Sequence, residues 1–109
     1  MKNIKSILCI VFLLLALSGF TQSKVVYIRV QEANASVSFD SYMSITYPDQ
    51  SSKTIVLARV KNAERVEANG KIIHKEITTL INDGYELNSC SVGGDVGATT
   101  TIFVFIKKN

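Results

Sequence analysis

The stretch LINDGYELNSCSV, residues 80–92, predicts where the chain turns from a helix into a strand. Helices commonly end with a left-handed residue just beyond the C-cap, where glycine has no Cβ to clash. An apolar side chain after it often packs back onto the last helical turn. Gly84 followed by Tyr85 fits this pattern. We therefore interpret Gly84 and Tyr85 as a structural hinge between a helix and a strand.

The helix before this hinge is predicted over residues 71–83. Its apolar positions recur at spacings that place them along one side of a helix, which favours packing on a sheet. Residues 61–70, KNAERVEANG, are polar and are interpreted as a loop in which Asn69-Gly70 closes a turn or caps the helix. The predicted apolar stripe consists of Ile73, Ile77, Leu80 and Ile81.

Five strands are predicted around this helix. Residues 24–30 are rich in β-branched and aromatic side chains, which suit a pleated, half-buried surface. Residues 36–47 alternate with period two, which predicts one buried and one wet face. A turn at 48–53, rich in proline, aspartate and serine, leads to a third strand at 54–60. The apolar face of the second strand is predicted to carry Val37, Phe39, Met43, Ile45 and Tyr47.

The last two strands follow the hinge. Tyr85 and Leu87 begin the fourth strand, and residues 92–98 are interpreted as a glycine-rich connection. Residues 99–108 carry large apolar side chains on both faces, which predicts a central strand or one whose second face is covered by the helix or a partner. The predicted fold class is therefore α+β, a mainly antiparallel sheet of about five strands with one helix packed on one face.

The hinge motif also resembles a known family. The chain from about residue 72 to its end is similar to a small bacterial domain of unknown function, whose helix ends in Leu-Asn-x-x-Gly-Trp-Glu-Leu and whose last strand ends in basic residues. Ile81-Asn82 stands for the Leu-Asn pair, Gly84 matches, Tyr85 replaces the tryptophan, and Glu86-Leu87 match. This resemblance implies a fold and no activity.

The amino-terminal segment has the order of a secretory signal peptide. Lys2 and Lys5 precede an eleven-residue apolar run at 7–17, and small or polar residues follow. This run is shorter than the roughly 20 residues of a membrane-spanning helix, so we expect a cleaved leader over residues 1–21, with cleavage after Thr21 or Ser23. Residues 22–109 would then form a single small domain, exported to a bacterial periplasm or beyond the cell, with no stable membrane anchor.

Removal of the leader changes the charge of the protein. The full chain has net charge +3, with twelve basic and nine acidic residues. Two basic residues leave with the leader, so ten basic against nine acidic residues give +1. Nucleic-acid-binding domains usually carry a strongly positive patch, so this composition argues against nucleic acid as a partner.

Cys90 is the only cysteine expected in the mature chain, so it has no partner for an internal disulfide. Strict alternation from Tyr85 and Leu87 places Glu86, Asn88 and Cys90 on the other face of the fourth strand. An unpaired thiol in an exported protein suggests an intermolecular bridge or a reactive group. A half-buried small residue without redox function is the plainer interpretation.

No set of residues in the sequence predicts catalysis, a cofactor or a metal site. His74 is the only histidine, whereas zinc usually takes three or four ligands. The glycine-rich connection lacks the lysine and hydroxyl residue of a phosphate loop. Tyr42, on the polar face of the second strand, is a candidate contact for a sugar or a protein, although isolated surface tyrosines are also ordinary.

These observations favour a non-enzymatic exported binding or protein-interaction module. Its partner, a protein or a small ligand, would contact the polar sheet face or an open strand edge. Two alternatives centre on Cys90: a small thiol-dependent enzyme or redox protein, and a homodimer linked through Cys90 with a structural role.

Overall fold

The computed structural model describes residues 23–108, and the predicted leader lies outside the described residues. The described elements are five strands and one helix: β1 Lys24–Ala33, β2 Tyr42–Thr46, β3 Ser52–Val56, α1 Ala63–Asn82, β4 Glu86–Asp95 and β5 Ala98–Lys107. The strands form one sheet in the order β3-β2-β1-β5-β4, and every neighbouring pair is antiparallel. The predicted α+β class is confirmed.

The sheet is built from a three-strand meander and a hairpin. β1, β2 and β3 follow one another across half of the sheet, and α1 then carries the chain to the opposite edge. β4 forms that edge, and β5 returns between β4 and β1. The prediction that the fifth strand is central is confirmed, because β5 pairs with strands on both sides.

The hydrophobic core lies between the helix and one face of the sheet. Alternate side chains of the central strands point into it, as the period of two requires. The helix contributes Leu80, with Ile72, Ile73 and Ile77 partly buried against the cluster. The placement of Ile81 in the packed stripe is wrong, because 56% of its surface is exposed. The sheet contributes Val26, Ile28, Val30, Met43, Ile45 and Phe105 to the buried cluster.

The helix is longer than the range of 71–83 predicted from its apolar stripe. It begins at Ala63, and the side chain of Asn62 caps it by accepting a hydrogen bond from the Arg65 N–H at 3.0 Å. Residues 63–68 are all exposed, so they carry no apolar periodicity. The prediction of a loop over residues 61–70 is therefore wrong for residues 63–70, and Asn69 and Gly70 lie inside the helix.

The helix ends at Asn82, immediately before its C-cap and the predicted hinge residues. Gly84 has φ +93° and follows the C-cap residue Asp83. The Gly84 N–H donates to the Ile81 carbonyl at 3.0 Å, and the Tyr85 N–H donates to the Leu80 carbonyl, also at 3.0 Å. These two bonds form a Schellman motif, and the buried side chains of Leu80 and Tyr85 supply its apolar contact.

Several predicted strand limits are corrected by the structure. The second strand starts at Tyr42 rather than residue 36, and Phe39 lies outside it with 49% of its surface exposed. The third strand occupies Ser52–Val56 rather than 54–60. The fourth begins at Glu86, and it continues through the glycines of the predicted connection as far as Asp95.

The connection between β4 and β5 is therefore a two-residue turn, Val96-Gly97. Gly97 has φ +83°, a conformation that side chains with a Cβ rarely adopt. A Cβ at this position would also clash with Val37 Cγ1. Glycine at 97 thus allows the tight hairpin that extends β4 and β5 to ten residues each.

Candidate interaction site

The outer strand β4 is an uncovered edge of the sheet. It pairs with β5 on one side, and no described strand pairs with its other side. Residues 86–94 are all exposed. An edge strand presents a row of unpaired N–H and C=O groups, which is a template for pairing with another chain. The outer edge of β4 is therefore about ten residues long and is available for pairing with another strand.

The opposite edge of the sheet is built differently. β3 has only five residues, and Lys53 lies within it. The Lys53 ammonium reaches the helix, where it lies 3.2 Å from a carboxylate oxygen of Glu76. Short edge strands and lysine on an edge both discourage pairing with other chains, whereas β4 is long and contains neither lysine nor proline.

A bulge near the start of β4 decides which side chains share a face. Leu87 lies opposite Phe105 on β5, but Ser89 lies opposite Val104, so Asn88 is an extra residue on the edge strand. Such a bulge reverses the alternation beyond it. Cys90 consequently lies opposite Phe103, on the helix side of the sheet with Leu87. The prediction that Cys90 lies on the opposite face from Leu87 is wrong for this reason.

The helix-side face of β4 is apolar and open. Leu87 and Val92 have 55% and 69% of their surface exposed, and Cys90 between them is a free, exposed cysteine. On the opposite face, β4 presents Ser89 and Ser91, which lie across from Val104 and Ile102 of β5. The edge strand thus carries an apolar row on one side and a hydroxyl row on the other.

The predicted contact residue Tyr42 lies elsewhere on the sheet. It is half-buried and pairs with Gln31 on β1 and Val56 on β3, on the face that the helix does not cover. Cys90 lies at the other edge and on the other face. The structure therefore does not bring the two predicted site residues together.

The sheet face opposite the helix is more apolar than the sequence predicted. Val25 and Tyr27 are exposed there, and the ladder places three partly buried residues of β5 beside them. Arg29 and the serines and threonines of β2 and β3 lie beside this patch. The expectation of a polar sheet face followed the alternation of the second strand, whereas the apolar centre of this face comes from β1 and from the second apolar row of β5. The three residues of β5 are Ile102, Val104 and Ile106.

An open groove of about 480 Å³ lies where β4 begins. Gly84 at the hinge, Asn88 at the bulge and Lys108 after the last strand contribute to its walls. Ligand pockets normally enclose most of a small molecule and converge a few polar groups on it. This groove is open, and β4 contributes only Glu86, Leu87 and Asn88 to its lining, so it does not enclose a small ligand in this way.

The hinge beside this groove contains a buried phenol. Burial of Tyr85 raises the pKa of its hydroxyl above 10.0, and the nearby carboxylate of Asp83 raises it further. The Lys107 ammonium lies 5.7 Å from the centre of the Tyr85 ring and 3.7 Å from Asp83 Oδ1. These contacts connect the end of α1 to Lys107, the last residue of β5.

The other predicted chemical groups remain separate. His74 is exposed on the helix. Within residues 23–108, no three His, Cys, Asp or Glu side chains form a group that could hold a metal ion. In the same part of the chain, no helix is both long and apolar enough to cross a membrane.

Comparison with known proteins does not place the chain in a family. No protein-family model, no curated protein and no solved structure matches the chain.

Proposed function

We propose that the chain is an exported, non-enzymatic protein-interaction domain that binds an extended segment of a partner polypeptide along β4. One observation carries the proposal: β4 is a ten-residue edge strand in which residues 86–94 are exposed and which contains neither lysine nor proline. Strand addition to an exposed edge is a common mode of peptide recognition.

Backbone hydrogen bonds would supply most of the affinity in this mode. The added strand would pair with the outward N–H and C=O groups of β4, while its alternate side chains contact the two faces. On the helix side these contacts would be apolar, with Leu87, Cys90 and Val92. On the open side they would be polar, with Ser89 and Ser91. The partner segment would therefore alternate apolar and polar side chains.

The leader supports export of the domain. Its basic start, apolar run and small residues have the order of a signal peptide. β1 begins at Lys24, so cleavage after either Thr21 or Ser23 would leave the first strand whole. The proposed location is the periplasm or the extracellular space of a bacterium. The resemblance of residues 72–109 to a bacterial domain of unknown function suits this proposal and adds no activity to it.

A pair of matched variants tests the strand-binding edge. Ser89 and Ser52 lie in one row across the sheet, and Ser91 and Thr54 lie in the next row on the same face. Ser89→Lys/Ser91→Lys places two lysines on the β4 edge. Ser52→Lys/Thr54→Lys places the same charges on the β3 edge. Lysine on an edge strand discourages the addition of another strand.

The measurement is capture of partners from the native exported fraction by each tagged variant. We expect the β4 variant to lose the proteins that the wild type captures and the β3 variant to retain them. Equal capture by both variants, or nothing above background with the wild type, would refute binding at β4.

Thiol chemistry is the second candidate function, since Cys90 is free and exposed. A nucleophilic cysteine needs a neighbouring group that favours the thiolate. The ladder places Phe103 opposite Cys90, which offers no such group. Labelling of Cys90 by a thiol reagent at pH 7 separates the two proposals, because an activated thiol would react much faster than a model thiol.

A further inference from the structure

We infer that the sheet face opposite the helix holds a binding site for a small monocarboxylic acid with an apolar body, centred on Arg29. The site is a recess of about 300 Å³ between three strands and the loop that joins β1 to β2. It does not depend on strand addition to β4. The residues that line it include Arg29, Gln31, Phe39, Gly93, Ala98 and Thr100.

The guanidinium of Arg29 is an isolated positive charge. Arg29 lies between Ser44 of β2 and Ile102 of β5, and the ladder places no other charged residue of β1, β2, β3 or β5 on this face. In the described part of the chain, this guanidinium has no hydrogen-bond or ion-pair partner. Arginine presents its N–H donors in a planar fork that matches a carboxylate. The fork of Arg29 is therefore available to an anion that enters the recess.

A missing side chain on β4 creates the space beside Arg29. Gly93 lies in one row with Thr100 of β5 and Gln31 of β1. A Cβ at Gly93 would meet no atom within 4 Å, so the volume above this residue is empty. Glycine inside a strand often marks a place where a ligand approaches the backbone closely. A larger residue at this position would project its side chain into the recess.

The wall of the recess is held in place by hydrogen bonds to the sheet. The side-chain amide of Gln31 donates to the Asp40 carbonyl at 2.8 Å, and the Ser41 hydroxyl accepts the Ala33 N–H at 2.9 Å. Phe39, from the same loop, lines the recess with 49% of its surface exposed. A wall that is already ordered lowers the entropy lost when a ligand binds.

The charge and size of the recess select the class of ligand. Arg29 can balance one negative charge, whereas a phosphate group carries about 1.5 to 2. The ring of Phe39 offers an apolar contact next to that charge. Ligand pockets range from about 300 to 1,000 Å³, so this recess suits a small molecule. A small acid with one carboxylate and an apolar body meets all three conditions.

The experiment is a titration of the mature chain with hydrocinnamate, followed by nuclear magnetic resonance of the backbone amides. This method detects the weak binding that an open recess implies. We expect saturable shifts at Gly93 and Thr100 and none at Thr54 near the far edge of the sheet. The neutral hydrocinnamamide should bind weaker by about tenfold or more, since it lacks the charge that pairs with Arg29. Equal affinities, or no saturable shift at Gly93 and Thr100, would overturn the inference.

A pair of charge variants tests the role of Arg29. Arg29→Gln removes the guanidinium from the recess, and Arg65→Gln removes the same charge from an exposed position on α1. We expect Arg29→Gln to weaken hydrocinnamate binding by about tenfold or more and Arg65→Gln to change it by less than about twofold. Equal effects of the two substitutions would show that Arg29 is not the anion site.

A second pair of variants tests the space at Gly93. Gly93→Val fills the recess with a side chain that suits a strand, and Ser52→Val places the same side chain on the far edge of the sheet. Circular dichroism confirms that both variants are folded. We expect Gly93→Val to abolish the saturable shift at Thr100 and Ser52→Val to retain it. Binding that survives Gly93→Val would place the ligand elsewhere and refute the site.

Two further probes test the class of ligand. Phenyl phosphate carries a similar apolar ring with a larger charge, and acetyl-glycyl-phenylalanine carries the carboxylate of a polypeptide terminus. We expect neither to bind tighter than hydrocinnamate. Binding about tenfold tighter by phenyl phosphate would overturn the assignment to a carboxylate. The same result with the peptide would overturn the assignment to a small molecule.

Discussion

At Gly84 a single residue decides where the helix ends. Its φ of +93° lies in the left-handed region, which costs about 1 kcal/mol or more for a residue with a Cβ. A Cβ there would lie 3.4 Å from the flexible Lys107 side chain, so the backbone accounts for most of the expected cost. We expect Gly84→Ala to lower the free energy of unfolding by about 1 kcal/mol or more, measured by urea denaturation.

The control for this variant is Gly70→Ala. Gly70 lies inside the helix, is exposed, and would place a Cβ in open space. Alanine in a helix interior is more favourable than glycine by about 0.5–1 kcal/mol, so this variant should stabilise the protein. Destabilisation by both substitutions, or by neither, would mean that the conformation of Gly84 is not what determines the helix end.

Tyr85 should make the stability of the folded protein depend on pH. Its folded-state pKa is raised, by burial first and by Asp83 second, so the folded protein holds the phenol proton more tightly than the unfolded chain does. This contribution is fully present below about pH 10, the pKa of an unfolded tyrosine, and is lost as the pH rises through the folded-state value. The stability of the wild type should therefore fall above about pH 10.

The variant Tyr85→Phe isolates this effect, because it keeps the ring and removes the titrating hydroxyl. We expect its unfolding free energy to decline less than that of the wild type between neutral and strongly alkaline pH. The measurement is a series of denaturation curves with Tyr42→Phe as the control for a half-exposed tyrosine. Parallel declines in the wild type and Tyr85→Phe would remove Tyr85 as the source.

At the scale of elements, the sequence predicted those features whose side chains alternate between core and solvent. The first strand, the central fifth strand and the last turns of the helix all have one side in the core, so their apolar residues recur with the right period. The amino-terminal turns of α1 have no such side, because residues 63–68 are exposed. Their helical conformation depends on the Asn62 cap, which an apolar pattern cannot reveal.

The side chain of Asn69 also links the amino-terminal half of α1 to the backbone of Ala58. It is buried, accepts the Ala58 N–H and donates to the Ala58 carbonyl, each at 2.8 Å. A polar side chain pairing with one backbone residue in this way leaves no signal in the sequence. The asparagine was therefore interpreted as part of a turn or of a helix cap, whereas its side chain links the helix to the chain that follows β3.

Substitution of Asn62 tests whether the helix starts at Ala63. Removal of an N-cap asparagine costs about 0.5–2 kcal/mol. We expect Asn62→Ala to lower the unfolding free energy by about 1 kcal/mol, while Asn82→Ala at the exposed end of the same helix changes it by less than about 0.5 kcal/mol. Thermal or urea denaturation followed by circular dichroism measures both. Equal effects would contradict the capping role.

The candidate site depended on a bulge that regular alternation does not predict. Leu87 and Val92 are five residues apart, and strict alternation would place them on opposite faces. Two apolar residues at an odd spacing are the one signal in the sequence that indicates an extra residue between them. Because that signal was not used, Cys90 was placed on the wrong face, although its position in the fourth strand was correct.

Across the whole molecule, protection from hydrogen exchange should follow the order of the strands. β1 and β5 have hydrogen-bonded neighbours on both sides and carry buried residues such as Ile28 and Phe105. Exchange there requires global unfolding, so their amides should be the slowest. β3 is a short edge strand with mostly exposed side chains. The outward amides of the two edge strands, β3 and β4, should exchange fastest.

Binding of a partner separates the two edges. If β4 adds an extended segment of a captured partner, its outward amides become hydrogen-bonded, and their exchange should slow while that of β3 stays constant. Exchange measured by mass spectrometry with and without the captured partner follows both strands in one sample. Slowing at β3, or at neither edge, would show that the long uncovered strand is not where the chain associates.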